Sequence, residues 1–210
     1  MSGDYLRDPE AIYAQSFATI RAEADLSHIP RELEDVVIRM IHASGMIDLI
    51  DEIRWGGEPV AEAEFALLEG APILCDCEMV RAGIARKNLP ARTELVVTLN
   101  EPGVPALAKQ LGTTRSAAAV ELWRGQLQGA VVVIGNAPTA LYQLLDMLDG
   151  GAPKPAAIIA TPVGFVGAAE SKALLALDLH HVPFITLLGR RGGSAIASAA
   201  VNAIARGISS

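Results

Sequence analysis

The chain has 210 residues, of which 51% are hydrophobic and 20% charged, a balance that excludes an intrinsically disordered protein. Acidic residues outnumber basic ones by 24 to 17, and the net charge of −7 argues against non-specific nucleic-acid binding. No stretch reaches the roughly 20 apolar residues of a membrane span, and the first ten residues lack the apolar core of a secretory signal. Cys75 and Cys77 are too close for an ordinary disulfide framework and lack the second pair of a zinc site. We therefore expect a reduced, cytoplasmic protein without a bound metal.

The first 70 residues are predicted to form a mostly helical extension. Asp8 and Pro9 are typical of the N-cap and first residue of a helix. Pro30 begins a second helix, whose apolar residues recur with helical period, and Gly45 is its expected end. The acidic stretch 46–70 is predicted to be helical in pieces.

Five short apolar runs, each followed by a turn and a helical pattern, predict β-strands. Unbroken apolar runs suit strands that are buried on both faces of a parallel sheet. Repetition of strand, turn and helix predicts a doubly wound, five-stranded parallel sheet with right-handed crossovers. The whole chain, residues 1–210, is predicted to be a single α/β domain with the extension packed on it. The predicted strands cover residues 72–76, 94–99, 131–134, 157–160 and 182–188.

Two turns rich in Gly or Pro follow the third and fourth predicted strands. The first contains Asn136 and Thr139, and the second runs from Gly164 to Lys172. Each leads into a helix N-terminus, which favours anions, at the edge where open α/β sheets bind ligands. Neither turn is a dinucleotide fingerprint or a P-loop. The alternative is that the glycines only let strand turn into helix, with Lys172 solvated on that helix.

His42 lies in the last turn of the second predicted helix, one residue off its apolar stripe. The negative end of the helix dipole favours an imidazolium there, as a general acid near neutral pH requires. The alternative is a boundary histidine that satisfies local carbonyls. Arg115, at a predicted helix start, and the pair 190–191 are candidate ligands of carboxylates or phosphates, with plain surface charge as the alternative.

Taken together, these motifs resemble the precorrin-8X methylmutase family of corrin biosynthesis over nearly the whole chain. The resemblance implies an isomerase that moves a methyl group from C-11 to C-12 of precorrin-8X, a polycarboxylated tetrapyrrole. The product is hydrogenobyrinic acid, in cobalamin biosynthesis, and neither a methyl donor nor a cofactor is implied. The matching stretches are Ile12-Tyr13 with Ser16-Phe17, and residues 39–45, 74–76, 113–116, 134–141, 162–166, 169–172 and 190–194.

The resemblance also implies roles for single residues and a homodimer with its sites near the subunit interface. His42 is the expected proton donor to the macrocycle, and Ser16 and Arg115 are expected to bind substrate. Three alternatives remain open: a cobalt-precorrin-8 methylmutase of the oxygen-independent pathway, a non-catalytic corrinoid carrier, and a nucleotide- or phosphate-dependent enzyme that uses the same loops. From the two turns, the further expected substrate contacts are Asn136, Thr139, Gly164, Phe165 and Lys172.

Overall fold

A computed structural model describes residues 5–208, which form one mixed β-sheet with α-helices on both faces. The predicted α/β class, a sheet flanked by helices, is confirmed. The strands are β1 (Ile53–Gly56), β2 (Ile73–Cys75), β3 (Leu95–Val96), β4 (Val131–Ile134), β5 (Ala157–Ala160) and β6 (Phe184–Leu187). The helices are α1 (Pro9–Glu23), α2 (Arg31–Ser44), α3 (Pro59–Leu68), α4 (Glu78–Gly83), α5 (Val104–Leu111), α6 (Arg115–Glu121), α7 (Pro138–Asp149), α8 (Ala168–Ala176) and α9 (Ser194–Ile208), and 3₁₀ helices cover Ile47–Glu52 and Arg86–Asn88.

The order of strands in the sheet is β1-β6-β5-β4-β2-β3. The five predicted strands, β2 to β6, are all present, and they pair with one another in parallel. Val133 in β4 lies beside Cys75 of β2 on one side and Ile159 of β5 on the other. The winding reverses between β2 and β4, and such a reversal leaves a crevice at the carboxyl ends of the strands.

The prediction of a five-stranded, wholly parallel sheet is wrong at one edge, where β1 pairs with β6 in the antiparallel direction. This strand lies within the predicted helical extension 1–70, of which residues 1–4 lie outside the described residues. It is four residues long with only Ile53 buried, so it lacks the apolar run that marks the other strands. Gly56 is required there because a Cβ atom would collide with the ring of Phe184.

The two faces of the sheet carry separate apolar cores, because successive side chains of a strand point to opposite sides. Val131 and Val133 face the core built with α2, α3 and α9, whereas Val132 and Ile134 face the core built with α7 and α8. On the first face, α9 packs against α2, α3 and α4. The fold therefore places α2, which carries His42, directly beside α9.

Candidate active site

His42 lies in the last turn of α2, as predicted. Gly45 ends the helix in the left-handed conformation at φ 69°, and its N–H donates to the carbonyl of Ile41. The imidazole is exposed, and its Nδ1 atom lies 2.8 Å from the Oγ atom of Ser16 on α1. This hydrogen bond engages one ring nitrogen and leaves the other, Nε2, for a ligand.

Helix α1 presents three side chains to His42, because residues three and four apart share one face of a helix. These residues are Tyr13, Ser16 and Phe17. The ring centroids of Tyr13 and Phe17 lie 5.4 Å and 5.3 Å from that of the imidazole. Phe17 also contacts Arg39, whose Cζ atom lies 4.9 Å from the centroid of its ring. The imidazole is thus anchored by one hydroxyl and flanked by two aromatic rings.

A cleft of about 300 Å³ opens beside His42, between α1, α2, α9 and the 3₁₀ helix that follows α4. Its charged lining residues are Arg39, Lys87 and Arg206, so every charged group that lines it is basic. Burial and the neighbouring Arg206 lower the pKa of Arg39, and Asp35 acts in the opposite sense. We call the cleft of about 300 Å³ the His42 cleft. The positive charge of its lining suits carboxylate ligands.

A second cleft of about 460 Å³ continues the first along α9, since both are lined by Ala199 and Asn202. It reaches Ser194, the first residue of α9, about 12 Å from Asn202 at the helical rise per residue. Asn202 fixes the wall: its Oδ1 atom accepts from the N–H of Ala85 at 2.7 Å, and its Nδ2 atom donates to the Gly83 carbonyl at 2.8 Å. The α9 groove, defined as both clefts together, therefore runs from His42 to Ser194.

The groove ends near the turn after β4. Ser194 packs against Gly135 of this turn, so closely that a Cβ atom on Gly135 would collide with it. The backbone amides of this turn already bind a carboxylate of the protein. Asp76, directly after β2, accepts from the N–H groups of Gly135, Asn136 and Ala137 at 3.0, 2.9 and 2.8 Å. Burial raises the pKa of Asp76, and the three donors act in the opposite sense. These three amides are therefore bound by Asp76, whereas the exposed Asn136 side chain stays a predicted contact.

Arg115 and Thr139 lie close together at this carboxyl edge of the sheet. Arg115 begins α6, and its Nη2 atom lies 3.3 Å from the Leu99 carbonyl and 3.4 Å from the Oδ1 atom of Asn100. Thr114, the N-cap of α6, donates to the hydroxyl of Thr139 on α7 at 2.8 Å. Both predicted substrate contacts therefore face the same edge, and both stay predictions.

The loop after β5 brings Gly164 and Phe165 to the same edge. The Phe165 side chain is 85% exposed, and the Cζ atom of Arg190 lies 5.5 Å from the centroid of its ring. The N–H of Gly164 donates to the carbonyl of Arg190 at 3.2 Å. This loop is thus fastened to the loop after β6 and leaves an aromatic ring open to a ligand.

Lys172 is fully buried on α8, and is neither a solvated helix residue nor open to the turn. Its Nζ atom donates to the carbonyl of Arg191 at 2.5 Å. Burial lowers the pKa of Lys172 to about 8, against the opposing influence of Glu52. Arg191 itself pairs with Glu52 at 2.6 and 3.2 Å and with Asp48 at 2.8 Å. Arg191 is therefore a weaker candidate for binding a ligand anion, because two carboxylates of the protein already hold its guanidinium.

The remaining candidate groups are the two thiols. Cys75 and Cys77 are both free and buried, and burial raises the pKa of each. Within residues 5–208, no group of three or more His, Cys, Asp or Glu side chains is placed to hold a metal ion. No helix in that range is long and apolar enough to cross a membrane.

Comparison with protein families matches residues 11–207 to precorrin-8X methylmutase. The chain belongs to the precorrin-8X methylmutase family. A precorrin-8X methylmutase from Pseudomonas aeruginosa is 60% identical over 202 residues, which cover 96% of this chain and 97% of that protein. Another, from Sinorhizobium sp, is 55% identical and covers 97% of each chain.

A solved structure of the precorrin-8X methylmutase from Thermus thermophilus matches with a TM-score of 0.84 and 36% identity, covering 95% of this chain and 96% of that one. Relatives that are named cobalt-precorrin-8 methylmutase share 31–37% identity. Precorrin-8X methylmutases are isomerases that convert precorrin-8X to hydrogenobyrinic acid in cobalamin biosynthesis. The predicted family and enzyme class are confirmed.

Three residues that line the clefts of this methylmutase family member were missed by reasoning from the sequence: Lys87, Asn202 and Arg206. They stand in no turn or motif that marked a site, and tertiary packing of α9 against α2 and the 3₁₀ helix Arg86–Asn88 brings them together. The spacing of Tyr13 and Phe17 around Ser16 was the available signal for the rings that flank His42.

Proposed function

We propose that the chain moves the methyl group of precorrin-8X from C-11 to C-12, with His42 as the proton donor to the macrocycle. One observation carries this proposal. An imidazole that is anchored by Ser16 faces a cleft in which every charged lining residue is basic. An acid catalyst beside a site for carboxylates is what isomerisation of a polycarboxylated ring requires.

The reaction moves a methyl group within one molecule, so its atoms and oxidation level are unchanged. Protonation of a ring nitrogen draws electron density through the conjugated system and lowers the barrier to the shift. With Nδ1 bound to Ser16, the Nε2 atom of His42 is the nitrogen that faces the macrocycle. General acid catalysis supplies about 10²–10⁴-fold in rate. Holding the macrocycle in one conformation supplies the remainder.

The substrate's carboxylates explain why an acidic protein lines its cleft with basic groups. Arg39 and Lys87 bind carboxylates beside the reacting ring, where a guanidinium or an ammonium pairs with an anion. The α9 groove directs the far side of the macrocycle toward the carboxyl edge. Lys172 takes a different role from the predicted one, because its buried Nζ atom supports the loop at Arg191. The proposed contacts at that edge are Arg115, Asn136, Thr139, Gly164 and Phe165.

The order of similarity favours the cobalt-free substrate. Relatives named precorrin-8X methylmutase share 55–60% identity with the chain, whereas those named for the cobalt substrate share 31–37%. The family resemblance further supports a cytoplasmic homodimer with its sites near the subunit interface. A second subunit there would shield the exposed imidazole of His42 from water, which strengthens electrostatic catalysis.

The test is turnover of precorrin-8X by the purified protein, followed by the visible spectrum of hydrogenobyrinic acid. The wild-type protein should form this product without a methyl donor, ATP or NAD. His42→Ala should lower kcat by about 10²–10⁴-fold and still bind the product, because the imidazole moves a proton and adds little to affinity. His28→Ala is the matched control, since His28 is exposed and lines neither cleft.

Each part of the proposal has its own contrary outcome. Near-normal turnover by His42→Ala overturns the role of His42. Binding of the product without any isomerisation by the wild-type protein indicates a carrier. Turnover of the cobalt substrate alone overturns the choice of substrate.

A further inference from the structure

Phe17 joins the two side chains on which the proposed chemistry depends. Its ring contacts Arg39 and His42, which lie one turn apart on α2. The Cζ atom of Arg39 is 4.9 Å from the ring centroid, and the imidazole centroid is 5.3 Å away with its plane at 87°. Phe17 is half-buried and packs against the apolar core, so its own position is fixed. One ring therefore sets the relative placement of a guanidinium and an imidazole.

Both contacts require an aromatic ring. A guanidinium over the ring face is attracted by the quadrupole of the π system. Two perpendicular aromatic rings are also in a favoured arrangement, edge against face. An aliphatic side chain of similar bulk supplies neither interaction. Tyr13, with its ring 6.0 Å from Phe17 and 5.4 Å from His42, completes the cluster.

Helix α1 has few other attachments that could align Ser16 with His42. Ile20 is the one buried residue of this helix. Arg21 forms ion pairs with Glu34 and Asp35, but these groups are exposed and such pairs contribute little. The alignment of the hydrogen bond from Ser16 to the imidazole therefore depends on the aromatic cluster.

We propose that Phe17 is a positioning residue, an inference that rests on the proposed role of His42. Its ring keeps the imidazole in the orientation in which Nδ1 bonds to Ser16 and Nε2 faces the cleft. The same ring holds Arg39 where it meets a carboxylate of the substrate. Phe17 itself transfers no proton. When the ring is removed, the imidazole is free to turn about its Cβ–Cγ bond, and Ser16 no longer selects one nitrogen.

Phe17→Leu removes the ring and keeps an apolar side chain. We expect kcat to fall about tenfold and KM to rise several-fold, the size expected for losing two aromatic contacts. Phe17→Tyr should restore both constants, because it keeps the ring. The Nδ1 chemical shift of His42, read by nitrogen NMR of the ligand-free protein, should report the hydrogen bond to Ser16 in the wild type and its loss in Phe17→Leu. A residue that only fills space would not change this shift.

Phe65→Leu is the matched control, since Phe65 is an exposed aromatic residue on α3 and lines neither cleft. It should leave kcat, KM and the Nδ1 chemical shift of His42 unchanged. The inference is overturned if Phe17→Leu keeps the wild-type Nδ1 shift and kinetic constants, whether or not its Tm falls. Failure of the proposed function looks different, because His42→Ala is then active. If His42→Ala is inactive and Phe17→Leu is normal, only the inference about Phe17 fails.

Discussion

The polar groups of the His42 cleft and those of the carboxyl edge of the sheet differ in whether the protein itself supplies their partners. At the edge, carboxylates of the protein bind groups that could otherwise bind an anion. Asp76 accepts hydrogen bonds from three backbone amides, and Glu52 pairs with Arg191. At the cleft, the imidazole and the basic side chains line open space. The backbone amides of a glycine-rich turn are available to a ligand only where no carboxylate of the protein accepts their hydrogen bonds.

This difference separates stability from turnover. Buried polar groups that satisfy one another are costly to disrupt, so substitutions of Asp76 and Lys172 should act mainly on the free energy of unfolding. The side chains of the His42 cleft are half-buried or exposed, so substitutions there should act mainly on kcat and KM. Four variants test this division.

The largest effect is expected for Asp76→Asn at the carboxyl edge. Both carboxylate oxygens of Asp76 accept hydrogen bonds from backbone N–H groups in the wild type. In the variant, the NH₂ group of asparagine replaces one of these oxygens, so at least one backbone N–H group loses its acceptor. We expect the free energy of unfolding to fall by about 2–3 kcal/mol, measured by urea denaturation, with kcat within about threefold of wild type. Asp51→Asn, at an exposed position, is the control. A large loss of kcat at unchanged stability would show that this turn takes part in catalysis.

Lys172→Met should have a smaller effect that depends on pH. The lowered pKa, about 8, means that between pH 8 and the ordinary lysine pKa the unfolded chain binds more protons than the folded chain. The stability of the wild type relative to Lys172→Met should therefore rise with pH, by up to about 2 kcal/mol between roughly pH 7 and pH 10. Lys109→Met, at an exposed lysine on α5, is the control. A tenfold loss of turnover without this trend would support the original prediction that Lys172 contacts substrate.

The smallest effect is expected for Arg39→Gln and Lys87→Gln in the cleft. Each should raise KM about tenfold, or 1.4 kcal/mol in binding, and leave the free energy of unfolding nearly unchanged. The increase should shrink at high salt, which screens the interaction with substrate carboxylates. Lys109→Gln serves as the control on an exposed lysine outside the cleft. Unchanged KM in both variants would place the substrate elsewhere.

The fold could be predicted where single segments carry complete signals. Asp8 caps α1 by accepting from the N–H of Glu10 at 3.2 Å, and its identity beside Pro9 marks that start. Strand β4 is buried along its whole length, so its apolar run predicts it. Strand β1 could not be predicted, because its pairing with β6 at the sheet edge is set by tertiary contact.

The site was predictable only in part, for the same reason. Ser16 and His42 are 26 residues apart, and only the family resemblance indicated that both belong to one site. Asp76 lies about 60 residues before the turn whose amides it binds, and no local pattern in the sequence predicts this contact. Lys87 and Arg206 meet His42 only through the packing of α9, so their positions follow from the fold.

A structure with hydrogenobyrinic acid bound tests the central claim most directly. We predict that the macrocycle lies in the His42 cleft along α9, with Nε2 of His42 at hydrogen-bond distance, about 3 Å, from it. Its carboxylates should meet Arg39 and Lys87. A macrocycle that lies only over the turns after β4 and β5, without contact to His42, would contradict the proposal.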